Sequence, residues 1–131
     1  MISFYVPGVP APQGSKRHVG NGRMIESSKK VKPWREAVAR VASAHILDGP
    51  LDGHLRVIIR FELPPPKKSR FGNRPAGPPD LDKLVRSTLD GLTASGLIVD
   101  DARVVSLTAT KHWALDTPGA TISIEPVTPA D

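Results

Sequence analysis

Asp80, Asp82, Asp90, Asp100 and Asp101 fall within 22 consecutive positions of a 131-residue chain, and acids grouped in this way suit phosphodiester chemistry. A carboxylate beside a phosphate backbone repels it unless a divalent cation lies between them. Mg²⁺ takes oxygen ligands, typically one or two carboxylates with water and substrate phosphate oxygens completing the shell. Asp80-Leu81-Asp82 sets two acids one residue apart, and Asp100-Asp101 supplies a further pair. No other chemistry is as well provided for. The four histidines, His18, His45, His54 and His112, lack HExxH spacing, and there is no serine-elbow motif. The chain has no cysteine, which excludes a thiol nucleophile, Cys-ligated zinc and a disulfide framework.

The acids must be positioned by a helix. Leu81, Leu84, Val85, Leu89 and Leu92 recur at helical spacing, and Gly96 suits the position just past the helix end. Asp80 then lies near the N-cap and Asp82 in the first turn, where free amides and the helix dipole favour an ionised carboxylate. Taken alone, Asp80 is explained as well by capping as by metal binding. Arg86 follows Asp82 by four residues and Asp90 follows Arg86 by four, so i,i+4 ion pairs are expected on this face, with Asp90 structural rather than a ligand. Arg86 and Lys83 are candidates for stabilising charge on a phosphoryl oxygen, with a solvated salt-bridging face as the alternative. From Asp82 to Ser95 a helix runs about 20 Å. The six steps on to Asp101 span at most about 20 Å. Asp101 therefore meets the first turn only if the chain folds straight back along the helix, or if the site is assembled across a dimer.

Around this helix, Ile2 to Val6 reads as a first strand, and Asn21-Gly22 marks a hairpin turn in a basic ribbon within residues 13–32. Pro33 opens a helix whose apolar face is Trp34, Ala37, Val38, Val41, Ala42 and His45. Leu55, Val57, Ile59, Phe61 and Leu63 alternate with polar residues, predicting a half-buried strand. Residues 64–79 form a basic, Pro-rich loop, and Val104 to Trp113 and Ala120 to Pro126 supply the last strands. The expected fold is a single α+β domain over 1–131. It has two layers, a mixed β-sheet with two main helices on one face, and basic loops at 13–32 and 64–79. So small a core favours a homodimer that buries a remaining apolar face. Trp34 and Trp113 are expected in the core or an interface.

Charge is divided unevenly along the chain. Residues 1–79 carry fourteen Lys/Arg against five Asp/Glu, and residues 80–131 carry four against eight. The basic part attracts polyanions, above all nucleic acid. Lys16, Arg17, Arg23, Lys67, Lys68, Arg70 and Arg74 are the candidate DNA-binding residues, and Phe71 is a candidate wedge between bases. The opening residues lack a signal-peptide pattern and no long apolar run occurs, so a soluble cytoplasmic protein with no membrane partner is expected.

The run Asp80-Leu81-Asp82-Lys83-Leu84-Val85-Arg86, with Asp90-Gly91-Leu92 and Asp100-Asp101-Ala102-Arg103-Val104-Val105, resembles the core of the RusA-type Holliday junction resolvases. Their pattern is D-x-D at a helix start, D-x-L late in the helix and D-D before the next strand. The opening from Val6-Pro7-Gly8 to Ser15-Lys16-Arg17 is similar to that of phage-borne members. The resemblance implies a homodimeric, Mg²⁺-dependent endodeoxyribonuclease that nicks four-way DNA symmetrically in recombination and repair, commonly encoded by a phage or prophage in a bacterial host. It assigns the metal-binding catalytic acids to Asp80, Asp82 and Asp101. The family's catalytic lysine falls at Arg86, and the Asn commonly following D-x-D is Lys83 here. Both departures keep or add positive charge, although guanidinium is a planar fork and a poor proton donor. The rival readings are a nuclease for flaps or forks, and a basic nucleic-acid-binding protein without catalysis.

Overall fold

The computed structural model describes residues 1–14, 16–19, 23–26, 29–68 and 70–128, with 16–19 and 23–26 described by backbone alone. The expected Asn21-Gly22 turn lies outside the described residues. The ribbon strands are there, β2 (Lys16–Val19) paired antiparallel with β3 (Arg23–Glu26). The main sheet has four strands: β1 (Ile2–Pro7), β4 (Leu55–Leu63), β5 (Val104–Trp113) and β6 (Gly119–Pro126), in the order β1-β6-β4-β5. β6 runs antiparallel to both β1 and β4, whereas β4 and β5 are parallel. The sheet is mixed, as expected.

Alternation makes β4 the centre of the core. Leu55, Val57, Ile59, Phe61 and Leu63 are buried, and they join Phe4, Val6, Ile122 and Ile124 in one cluster with Trp34 and Val38 of α1 (Val31–Ser43) and Leu84 and Leu92 of α2 (Leu81–Ser95). The opposite face of the sheet is polar. Ser3 bonds Ser123 at 2.9 Å and Arg56 pairs with Glu125 at 2.9 Å. Tyr5 and Ile58 are the exposed large apolar side chains among the polar residues of this face. Exposed apolar side chains gather instead along β5, where Val105 is 59% and Leu107 46% exposed. No helix among the described residues is long and apolar enough to cross a membrane.

Two boundaries differ from expectation. α1 begins at Val31, two residues before Pro33, because a first-turn proline lacks only an amide that has no helical partner there. It ends at Ser43, so His45 lies beyond the helix and stacks on Phe4 with ring centres 4.8 Å apart. α2 ends as its sequence predicts, with Gly96 at φ 82°, a left-handed conformation that glycine adopts without steric cost.

The helices touch closely where Gly91 meets α1. A Cβ at this position would lie 2.8 Å from Val38 Cβ and 3.0 Å from the Arg35 carbonyl oxygen. Beside this contact the Trp34 indole donates to Thr88 Oγ1 at 3.1 Å, so no buried polar side chain among the described residues is left unpaired. Gly91→Ala should destabilise the fold by about 1–3 kcal/mol, overpacking outweighing alanine's better helix propensity. Denaturant unfolding monitored by tryptophan fluorescence measures it.

Candidate active site

Topology decides where each acid lies. Parallel strands need a long crossover between them, and here residues 64–103 provide it, with α2 as the connecting helix. The C-terminal ends of β4 and β5 lie side by side at the end where α2 begins. Asp80 and Asp82 therefore sit at the C-terminal edge of the strands, and Asp100-Asp101 sits at the opposite end, before β5.

Asp80 occupies the N-cap position of α2 with extended dihedrals, φ −66° and ψ 134°, and its backbone carbonyl accepts from the Leu84 amide at 3.1 Å. Its side chain makes no capping hydrogen bond, contrary to the cap expected from sequence. The carboxylate is 61% exposed, with Lys83 Nζ at 3.9 Å. Asp82, in the first turn, is also exposed. Around them, the Gln13 amide donates to the Lys83 carbonyl at 2.9 Å and the buried Ser87 hydroxyl donates to the Ala11 carbonyl at 2.6 Å, tying the segment 9–14 to α2.

The expected ion-pair ladder along α2 does not form. Among the described residues Arg86 makes no ion pair, and Asp90 pairs across the helices with Arg35 at 3.8 Å. Asp90 is thereby structural, as its position suggested, but through α1. Arg86 is exposed one turn beyond Asp82.

At the far end, Asp101 opens a short 3-10 turn, Asp101–Arg103, that packs against α2. Asp100 accepts from the Ala102 amide at 3.4 Å, and Arg103 Nε donates to Asp52 Oδ1 at 2.6 Å, fastening the corner to the chain before β4. The two adjacent carboxyls share a hydrogen bond. That bond, then burial and the charges of Asp100 and Asp90, hold the Asp101 carboxyl above the usual carboxylate range. Asp100 is held below it by the same bond and by the Ala102 amide. The α2 acid felt by Asp101 is thus Asp90, about 12 Å along the helix from Asp82. Among the described residues no three His or acidic side chains converge as a metal site within one chain. The straight return of Asp101 to the first turn of α2 does not occur.

The basic residues divide into two groups. Lys16, Arg17 and Arg23 lie on the β2–β3 ribbon, with side chains outside the description. Lys67, Lys68, Arg70 and Arg74 are exposed on the 64–79 loop and make no ion pair among the described residues. Arg70 stacks over the exposed Phe71 ring at 5.2 Å. Trp113, half-buried at the end of β5, donates its indole N–H to the Gly72 carbonyl at 3.3 Å and holds this loop to the sheet. His112 is kept below the usual imidazole range by burial and by the charges of Arg60 and Arg74.

Lys111 is the residue sequence reasoning missed. It lies on the same face of β5 as Leu107, Ala109 and Trp113, and its ammonium donates to the carbonyls of Gly77 and Pro79, both at 2.9 Å. A charged residue within an apolar alternation was the available signal.

An α+β protein with uncapped acids at a crossover helix and unpaired cations on the preceding loop has the makings of an enzyme acting on polyanions. Residues 7–125 match the family model for endodeoxyribonuclease RusA, and the chain belongs to that family. It is similar to the crossover junction endodeoxyribonuclease rusA of Enterobacteria phage 82, being 30% identical over 111 residues that cover 84% of each protein.

Because the Asp80 side chain caps nothing, Asp80→Ala should change unfolding free energy by less than about 0.5 kcal/mol, against about 1 kcal/mol for loss of a working cap. Thermal unfolding of the variant checks this.

Proposed function

We propose that the protein is a structure-specific endodeoxyribonuclease that resolves four-way DNA junctions by symmetric, Mg²⁺-dependent nicking in recombination and repair. The observation that carries this reading is Asp80: a carboxylate at a helix start that does no capping, with Asp82 exposed beside it. These two supply the one or two carboxylates that Mg²⁺ typically takes, so the donor set fits the ion. A bound divalent cation supplies charge at the phosphate and a more acidic water. Arg86, exposed and without an ion pair among the described residues, offers its guanidinium to a non-bridging phosphate oxygen. Lys83 partly offsets the charge of Asp80, which lowers the repulsion felt by an approaching backbone. Lys16, Arg17, Arg23, Lys67, Lys68, Arg70 and Arg74 hold the arms of the junction through phosphate contacts. Phe71 serves as a wedge at the branch point.

Paired nicks need two sites, and the reading includes a homodimer. β5 is an edge strand with an open hydrogen-bonding side, and Val105 and Leu107 are exposed on it. Leu107 and Ala109 line a shallow groove with Leu81, Asp82 and Val85. A second copy seated there would cover apolar surface next to the acids. Since Asp101 lies far from Asp82 within one chain, it is assigned to the site of the second copy. The expected setting is the cytoplasm of a bacterial host, with the gene carried by a phage or prophage.

The test is a labelled synthetic four-way junction, incubated with Mg²⁺ or with chelator, beside duplex, flap and fork substrates. Nicks in two opposing strands of the junction, only with Mg²⁺, are expected. Asp82→Asn should lower the rate by about 10³-fold or more, since the interaction lost acts on transition-state charge, while junction binding in chelator is kept or tightened. Wild-type nicking by Asp82→Asn rejects the acid assignment. Cation-independent binding without cleavage supports the non-catalytic rival, and equal cutting of flaps and forks supports a broader nuclease.

Mixing Asp82→Asn with Asp101→Asn protein tests the shared site. Mixed dimers should regain one intact site and nick one strand per junction, whereas a site built within one chain leaves the mixture inactive.

A further inference from the structure

The segment that delivers Asp80 cannot be held by an ordinary backbone ladder. Pro78 and Pro79 have no amide hydrogen, and the one backbone bond within the described part of the 64–79 loop joins the Ala76 amide to the Arg74 carbonyl at 3.0 Å. Two carbonyls just before the acid pair nevertheless have a partner. Lys111 Nζ lies 2.9 Å from the oxygens of both Gly77 and Pro79. Lys111 itself is fixed by β5, where it is paired in register with the fully buried Phe61 of β4. Hydrogen bonds from an ionised donor are shorter and about twice as strong as neutral ones. An ammonium with three donors suits two converging carbonyls, neither of which accepts from a backbone amide among the described residues.

Resting on the resolvase reading above, we propose that Lys111 is the positioning residue of the active site, a clamp that sets Asp80 and the first turn of α2 against the sheet. It acts through backbone carbonyls and touches neither acid side chain. Its charge sits beside the chain leading to Asp80, and the phosphate-facing side of both carboxylates stays open. A clamp of this kind governs catalysis more than affinity, because small displacements of reacting groups cost about 10²-fold in rate.

The test uses Lys111→Met and Lys111→Arg in the full chain. Hydrogen exchange is read at the Leu84 and Val85 amides, with Ile59 and Leu92 as core references. In Lys111→Met, exchange at Leu84 and Val85 should rise by about tenfold while the references stay within about twofold, the pattern of local rather than global opening. Single-turnover nicking should fall by about tenfold or more, with junction affinity in chelator unchanged within about threefold. Lys111→Arg, which keeps the charge and two donors, should recover most of the protection and activity. If Lys111→Met does not fold, Lys111→Gln, with two amide donors and no charge, is read in its place by the same criteria. Unchanged exchange at Leu84 overturns the clamp whatever the nicking rate. Raised local exchange with wild-type nicking overturns the positioning role. Absence of junction nicking by the unsubstituted protein rejects the resolvase reading, and the exchange measurement still decides the clamp.

Discussion

Leu84 and Leu92 of α2 are fully buried in one cluster with the apolar stripe of β4, and the outward placement of the acids of α2 follows from that burial. Removing these side chains from water contributes about 1.5–3 kcal/mol each, more than any surface ion pair could supply. With that face committed to the core, Asp82 and Arg86 must point to solvent. Gly91 lets α1 approach from the side, which brings Arg35 to Asp90 and fixes the roll of the helix. The exposed acids of α2 are thus a by-product of hydrophobic packing: Asp90 pairs with Arg35 and Asp80 lies 3.9 Å from Lys83, while Asp82 makes no ion pair among the described residues.

Electrostatics explains why such an arrangement is suited to a polyanion. An acid at a helix start gains from the dipole whether or not it bonds an amide, and the Asp80 oxygens, which make no capping hydrogen bond, stay available. Lys83 and Arg86 ride on α2 with the acids, while most other cations of the N-terminal part, including those on the ribbon and on the loop before α2, lie elsewhere, and the loop's four make no ion pair among the described residues.

Family membership and geometry bear on different questions. The match over residues 7–125 establishes the RusA family. It does not say how acids at opposite ends of a crossover meet. Parallel pairing of β4 with β5 separates Asp82 from Asp101 within one chain, and β5 is an open edge of the sheet. Arg86 is exposed and makes no ion pair among the described residues. Its forked guanidinium favours holding a phosphate oxygen over donating a proton.

Local pattern made much of this legible in advance. The bounds of β4 and β5, the left-handed stop at Gly96 and the grouping of the acids were all written in alternation, helical spacing and turn residues, because those features depend on neighbours a few positions away. What lies far apart in sequence was not readable. The Lys111 contact spans 34 and 32 residues, Asp90 found its cation on another helix, and Asp80 proved to be no cap although its position invited one. The sequence by itself determined which residues could do the chemistry and on which elements they ride. Only the tertiary structure decided which of them meet, since the direction of β5 beside β4 is a packing outcome, and that direction sends Asp80 and Asp101 to opposite ends of the same helix.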